Sequence, residues 1–407
     1  DLAEDRGHAL VFVQAGLITS LSGGLIALAC ANGVREGLTI QQTFLLTTGV
    51  WLALPLFGAL PFMLGETGSS FTDAFFEAMS GLTTTGATVL TGLDEMPKGL
   101  LIWRGIMQWL GGIGIVVVAM VFLPELRVGG MQIFRSEAFD ATKVLPRAAE
   151  IASRIAVIYI GLTFACMLAY TVTGMTTFEA INHAMTTLAT GGFSTSDLSF
   201  SAFKGSAEYV ASAFMILASL PFVRYVQLVA GSSQPLFKDG QVRGFLMLYA
   251  LVVLVLCLFL TIPDSRPFEV AVRETLFNVA SILTGTGYAS TDYQLWGAFP
   301  VVLFFLIGLI GGCAGSTCCS VKVFRYQILV SAIATQVKRI HSPHGIFEPR
   351  FEGRRVDEDT LSSVMAFFVL FFVSMAALAI LLGATGLDFI TSVSGAATAI
   401  ANVGPGL

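Results

Sequence analysis

Long apolar runs alternate with short ones along this chain, and each short run ends in a polar turn that contains glycine. A helix rises 1.5 Å per residue, so a run of about 20 apolar residues crosses a bilayer. The pattern predicts long helices over 8–30, 40–64, 98–123, 148–173, 205–230, 244–262, 294–333 and 360–383. Between some of them lie segments too short to cross, over 71–83, 177–189, 269–283 and 388–400. The order long helix, half helix, turn, long helix recurs, and such recurrence marks a repeat architecture.

Aligned on one glycine, the four turns read Thr84-Thr85-Gly86-Ala87, Thr190-Gly191-Gly192-Phe193, Gly285-Thr286-Gly287-Tyr288 and Asn402-Val403-Gly404-Pro405. Thirteen residues before the glycine stand Asp73, Glu179 and Glu274, with Thr391 breaking the series. A non-helical turn at membrane depth is tolerated only where it is buried in protein or lines a wet cavity. The half helix before it directs a partial negative charge at a central cation. The turn's carbonyls replace the ion's water. Glycine permits backbone angles that a Cβ penalises, and threonine hydroxyls add oxygen ligands. The turns read as four quarters of one ion selectivity filter. The competing reading is a glycine-bearing helix break used for packing.

Composition agrees with a membrane. The chain is 55% hydrophobic and 12% charged, about half the charge of a soluble globule, and its mean hydropathy is +0.80. Basic residues gather in three connections: Arg127, Arg135, Lys143 and Arg147; Lys238 and Arg243; and the stretch from Lys322 and Arg325 through Lys338, Arg339, Arg350, Arg354 and Arg355. The other connections are acidic, with Glu66, Asp94, Glu95, Asp197, Asp264 and Asp292 among them. Basic connections favour the cytoplasmic side. The acidic ones then face outward, where they suit a cation. Cys30, Cys166, Cys257, Cys313, Cys318 and Cys319 lie in or beside apolar segments and form neither a disulfide framework nor a zinc pattern. No cleavable signal peptide is evident. The start at Asp1 and the end at Gly406-Leu407 read as those of a fragment.

Six stretches carry a resemblance: DAFFEAMSGLTTTGAT (73–88), QWLGGIGIVV (108–117), GGMQIFR (129–135), ATGGFSTSD (189–197), IGGCAGST (310–317) and NVGPGL (402–407). Together they resemble the Trk/Ktr/HKT superfamily of potassium transporters, and the bacterial TrkH-type subunits most closely. The resemblance implies an all-α integral membrane protein, with four pseudo-repeats of helix, pore half helix and helix around a central pore. It implies a homodimer, served by a cytosolic TrkA-like ring that binds nucleotides. Glycine at all four filter positions, Gly86, Gly192, Gly287 and Gly404, implies potassium as the ion; in some relatives serine in the first unit goes with sodium. The family pattern ends with a further helix that this chain does not reach, so the fourth repeat is truncated. One N-terminal helix stands where TrkH-type chains have two.

The segments divide as an N-terminal accessory helix (1–38) and pore repeats at 39–124, 125–240, 241–340 and 341–407. The third repeat's second helix carries Gly311-Gly312-Cys313-Ala314-Gly315-Ser316-Thr317, then Cys318-Cys319-Ser320 and Lys322. Three glycines in five residues cost a helix roughly 3 kcal/mol. By resemblance this is an intramembrane gate loop; the alternative is a kinked packing helix with a small-residue seam. Lys322 either raises a barrier in the cavity or snorkels to the inner interface. Cys318 and Cys319 read as small apolar fillers rather than a redox pair.

Arg104 is expected to pair with Asp73 or Glu77 behind the filter, and both acids to brace the half helix. Arg224 lies about 20 residues into its predicted helix, roughly 30 Å along, at an interface. His183 reads as a packing residue. His341 and His344 lie in a basic cytosolic loop suited to partner docking or merely solvated.

The reading is potassium uptake across a bacterial inner membrane, with lipid around the chain and no organic cofactor or nucleic acid. No buried acidic relay is visible inside a long helix, which favours channel-like flux over symport. Two alternatives stand: the potassium-binding subunit of an ATP-driven pump, and an intramembrane enzyme with Cys313, Cys318 or Cys319 as nucleophile and His183 as base.

Overall fold

A computed structural model describes residues 6–33, 39–65, 67–121, 130, 144–262 and 266–404. Helix α1 (Arg6–Ala29) precedes four units of similar plan. The first holds α2 (Ile40–Gly58), α3 (Leu60–Leu64), half helix α4 (Phe71–Leu82) and α5 (Lys98–Val121). The second holds α6 (Val144–Val172), half helix α7 (Thr177–Leu188), α8 (Ser206–Ala218) and α9 (Phe222–Val229), followed by the short α10 (Gln234–Lys238). The third holds α11 (Gly240–Thr261), half helix α12 (Phe268–Thr284), α13 (Ala298–Gly308) and α14 (Val323–His341). The fourth holds α15 (Glu358–Ala384) and half helix α16 (Phe389–Ala401). An antiparallel pair, β1 (Arg350–Phe351) and β2 (Arg354–Arg355), links the third unit to the fourth.

The protein is an all-α membrane protein, and it is apolar on the outside. Among the described residues six helices are long and apolar enough to cross a membrane, or seven if the bent pair α8–α9 is one span. Their outer faces expose Leu17, Leu21 and Leu25 on α1 and Val369, Leu370 and Leu381 on α15. Glu77, Arg104, Gln108, His183 and Asn278 are buried. A water-soluble fold puts charged groups outside; lipid as solvent requires polar groups to be satisfied internally.

Caps set where the half helices begin. Ser70 and Asp73 form a capping box at α4, and Thr176 and Glu179 form one at α7. Asp388 caps α16 by accepting from the N–H groups of Ile390 and Thr391. Hydrogen bonds from Thr391, side chain first and then backbone, hold the Asp388 carboxyl below its ordinary range. Asp73 and Glu179 are therefore engaged as caps. Glu274, inside the longer α12, takes a hydrogen bond from Arg266 at 3.2 Å.

Each half helix packs on the long helix before it: α4 on α2, α7 on α6, α12 on α11, α16 on α15. The last three also pack on a helix of the preceding unit: α7 on α5, α12 on α8, α16 on α13. This second contact carries the units round in sequence. The largest apolar core joins units two and three through Tyr159, Tyr170, Phe200, Phe277 and Tyr288.

Three predicted spans are not continuous. Residues 40–64 divide at Ala59, between Pro55 inside α2 and Pro61 in α3. Residues 205–230 break at Ser219-Leu220-Pro221, where α8 and α9 meet at 90°. Pro221 restricts the residue before it and lacks an N–H. The third unit supplies partners at this break: the Cys313 N–H donates to the Ser219 carbonyl at 3.0 Å, and the Phe222 N–H to the Gly315 carbonyl at 2.9 Å. Within 294–333 the α-helix covers only α13 and the start of α14, and 309–322 form a loop.

The bend also relocates Arg224. It does not sit at the far end of a straight helix. It lies on α9, where its Nε pairs with the Asp239 carboxylate at 2.7 Å, with Asp239 almost fully buried. Asp239 also caps α11 through the N–H groups of Gln241 and Val242. Glu66, Arg127, Arg135, Lys143 and Asp264, with most of GGMQIFR, lie outside the described residues.

Removing a buried partner leaves a charge without its counter-ion, a loss of about 3–5 kcal/mol. Asp239→Ala, which also deletes the cap, is expected to cost that much stability. Asp239→Asn should cost less because its amide oxygen keeps the cap. Thermal unfolding in detergent measures both, and equal melting points for Asp239→Ala and the parent protein would contradict this assignment.

Candidate ion pathway

The four half helices end in one backbone geometry. In each turn the residue before the aligned glycine donates its N–H to the carbonyl five residues back. Thr85 bonds Ser80 at 2.9 Å, Gly191 bonds Thr186 at 2.9 Å, Thr286 bonds Ser281 at 2.8 Å and Val403 bonds Thr398 at 3.0 Å. The preceding residue is left-handed in every case: Thr84 (φ 58°), Thr190 (φ 50°), Gly285 (φ 78°) and Asn402 (φ 58°). This is a Schellman-type helix end. The aligned glycine is left-handed again, at 83° for Gly86, 79° for Gly192, 81° for Gly287 and 90° for Gly404. Left-handed angles are unusual for a β-branched residue, so Thr84 and Thr190 each store about 1–3 kcal/mol of strain that the surroundings must hold.

The turns meet in a closed circuit. A Cβ added to Gly86 would strike the Gly191 carbonyl oxygen of unit two, and one on Gly192 would strike the Thr286 carbonyl oxygen of unit three. One on Gly285 would lie 3.6 Å from the Asn402 carbonyl oxygen of unit four. One on Gly404 would lie 2.8 Å from the Thr85 carbonyl oxygen of unit one. The Asn402 side chain fastens the last joint: its Nδ2 donates to the Thr83 carbonyl at 2.8 Å, and its Oδ1 accepts from Thr85 Oγ1. Pro405 lies outside the described residues.

Polar side chains hold this circuit from behind. Ser80 donates to the Ala87 carbonyl and Ser281 to the Tyr288 carbonyl, at 2.5 and 2.7 Å. Arg104 pairs with Glu77 at 2.7 Å and donates to the Ser194 carbonyl and to Thr88. Its guanidinium lies 4.0 Å from the centre of the Phe193 ring. One buried cation thus ties the first half helix to the loops after turns one and two. Glu77 is its partner; Asp73 is not.

One turn of helix further on, Gln108 clasps the second turn. Its Nε2 donates to the Gly191 carbonyl at 2.7 Å, and its Oε1 accepts the Phe193 N–H at 3.1 Å. The sequence reading missed this residue. The available signal was an amide four residues after Arg104 in an apolar helix. Asn278 braces the third loop, with its Nδ2 at 3.1 Å from Ser290 Oγ. His183 packs 4.6 Å from Phe203. Its Nδ1 faces the Glu179 carbonyl and its Nε2 faces Ser194 Oγ, at 2.9 and 3.1 Å. Neither nitrogen is open to serve as a base for a cysteine nucleophile. Asp197 accepts from the N–H groups of Gly92 and Leu93, and the Asp197 N–H donates to Asp94.

Residues 309–322 cross beneath the circuit and touch all four turns. Thr190 Oγ1 lies 3.3 Å from Thr317 Oγ1. Cys319 Sγ lies 3.0 Å from Asn402 Nδ2 and 3.9 Å from Thr84 Oγ1. A Cβ on Gly285 would meet Cys319 Cβ at 3.2 Å. A cavity of about 330 Å³ lies here, lined by Thr83, Thr84, Thr317, Cys319, Lys322 and Asn402 among others. Lys322 is left-handed (φ 77°) and its Nζ donates to the Cys318 carbonyl. It lines the cavity. Gly311, Gly312, Cys313, Ala314, Gly315 and Ser316 do not line it. Cys313 and Gly315 instead dock on the α8–α9 break, and the Ala314 N–H donates to Gln241.

The TrkH family, described as a cation transport protein, matches residues 8–407. The chain belongs to this family. It is 44% identical over 369 residues to the Trk system potassium uptake protein TrkI of Halomonas elongata, covering 90% of this chain and 75% of that one. It is 35% identical over 413 residues to the Trk system potassium uptake protein TrkH of Escherichia coli K12, covering 98% and 84%. The crystal structure of the potassium transporter TrkH from Vibrio parahaemolyticus superposes with a TM-score of 0.91 at 33% identity, over 100% of this chain and 85% of that one. These relatives are transport proteins, not enzymes.

In this TrkH-family chain, Arg104→Met alone leaves the Glu77 carboxylate buried without its cation, a cost of about 3–5 kcal/mol. Glu77→Gln combined with Arg104→Met should recover part of that loss, as replacing both members of a buried pair often does. Thermal unfolding of the two variants decides the point: a single variant no less stable than the double would refute the pairing.

Proposed function

We propose that the chain carries potassium inward across the bacterial inner membrane through the circuit of four turns. The observation that carries this reading is the closed run of glycine-to-carbonyl contacts at Gly86, Gly192, Gly285 and Gly404. Carbonyls packed that closely around an axis supply the oxygen cage that replaces an ion's hydration. The ligands are the backbone oxygens of the four turns: Thr84 to Ala87, Thr190 to Phe193, Gly285 to Tyr288, and Asn402 to Pro405. Four half-helix C-termini add partial negative charge. The names of the relatives, potassium uptake proteins of a Trk system, support potassium as the ion. The glycine at each aligned position supports it too. The membrane potential drives the flux, at about 2.3 kcal/mol per charge per 100 mV.

The loop 309–322 is the gate. It occupies the inner end of the circuit, and Lys322 sets a positive charge in the cavity that repels cations. A cytosolic nucleotide-binding ring of TrkA type releases it, and two copies of the chain work side by side. The basic residues Lys338, Arg339, Arg350, Arg354 and Arg355 support a cytoplasmic position for that end of α14 and the hairpin. The circuit then opens outward.

Rubidium uptake into liposomes, with and without competing sodium, tests the filter. Gly86→Ser or Gly192→Ser puts a Cβ into the neighbouring carbonyl. Either is expected to lower rubidium flux by about tenfold or more, equivalent to about 1.4 kcal/mol at the barrier, and to reduce the preference over sodium. Unchanged flux and preference would contradict the filter. The gate has its own test: alanine at 312–317, or Lys322→Gln, should raise resting flux without the cytosolic partner. Resting and activated flux both equal to the parent's would exclude the loop as gate.

A further inference from the structure

A second cavity lies on the membrane side of the first unit. It is an apolar crevice of about 590 Å³ between α1, α2 and α5, lined by Phe12 and Ala15, by Trp51 and Leu54, and by Leu110 and Gly114, among others. It reaches inward to Leu82, the last residue of half helix α4. The candidate spans that flank it are barely covered by protein: the α1 window is 6% buried, and that of 44–64 is 22% buried. Val50 and Leu54, which line the crevice, are also exposed, so its mouth presents an apolar surface suited to hydrocarbon.

Its lining is mainly apolar, and two of its polar groups are already engaged. The Thr19 hydroxyl donates to the Ala15 carbonyl at 2.8 Å, and the Trp103 indole N–H donates to the Gly58 carbonyl at 3.0 Å. Its volume far exceeds the roughly 30 Å³ of one water. An empty space of that size would deprive its walls of dispersion partners.

Trp51 lines both this crevice and the 330 Å³ cavity beneath the four turns. Leu82 faces the crevice and Thr83 the cavity; Gly114 faces the crevice and Ile115 the cavity. The wall between the two spaces is one side chain thick. We infer that a bilayer acyl chain occupies the crevice, with Trp51 as the partition between lipid and the cavity below the turns. The lipid site stands on its own geometry, and only its bearing on flux rests on the proposed function. Through Trp51 the packing of the bilayer reaches the space where the gate loop sits.

Quenching by brominated lipid tests this directly. The full-length protein is placed in phosphatidylcholine brominated on its acyl chains and in the unbrominated lipid, and tryptophan fluorescence is compared. Gly16 and Gly114 both line the crevice, and a Cβ on either meets nothing within 4 Å. Gly16→Phe and Gly114→Phe therefore fill it. Each is expected to lower the quenching by about a quarter or more, since Trp51 and Trp103, two of the four indoles in this sequence, line the crevice. Trp51→Phe should lower it by a smaller share, because Trp103 remains. Thermal unfolding in detergent checks that the variants fold, and either glycine variant alone suffices if the other does not. Quenching as strong in a folded glycine variant as in the parent would overturn the proposal, and would do so whatever the four turns conduct.

Discussion

The carbonyls that end a helix inside a membrane must find partners, and that constraint shapes the whole molecule. The last four carbonyls of any helix lack intrahelical donors, and hydrocarbon offers none. Here four half helices end at depth, and each closes with the same six-residue hydrogen bond and the same left-handed pair. What remains unpaired points toward the neighbouring turns. Four such ends are tolerable only together, each packed against its neighbours. The long helices, the caps and the ring-wise packing all serve to hold four backbone corners in register.

The buried charges fit the same logic. Arg104 and Glu77 are costly to bury, and a buried pair is weak evidence for stability. Their value lies in position: Arg104 reaches the half helix, the loop after turn one and the loop after turn two. Asn402 does the equivalent work at the joint between units four and one. Side chains that bind backbone thus fasten these two joints, as Ser199 does with the Ala289 N–H between units two and three and Ser320 with the Ala401 carbonyl between units three and four. The loop below uses its own backbone differently, bonding across to the α8–α9 break and to Ala401 at the end of α16. It is fixed at both margins and spans the axis between them.

Much of this was legible from spacing. The half helices, the aligned glycines and the unwinding at 309–322 follow from run length and from glycine placed where a helix cannot use it. The Arg104–Glu77 pairing was one of two readings that the sequence left open. The break at Ser219-Leu220-Pro221 was not seen, because apolar residues on both sides keep the hydropathy high. Its lost hydrogen bonds are restored by Cys313 and Gly315, about 90 residues away. Gln108 was missed for a similar reason, since its partners come from the next unit. Cys319 read as filler, yet it sits against three of the four turns. Local pattern shows where a chain must deviate from a helix. It does not show which distant groups take up the deviation.

The central claim is that the four turns enclose a dehydrated cation. Anomalous diffraction from crystals of the full-length protein grown in rubidium addresses it without any mutation. The account predicts a rubidium peak on the axis shared by Gly86, Gly192, Gly287 and Gly404, within bonding distance of carbonyls from all four turns. Well-ordered turns with no peak between them, and rubidium bound elsewhere, would contradict it.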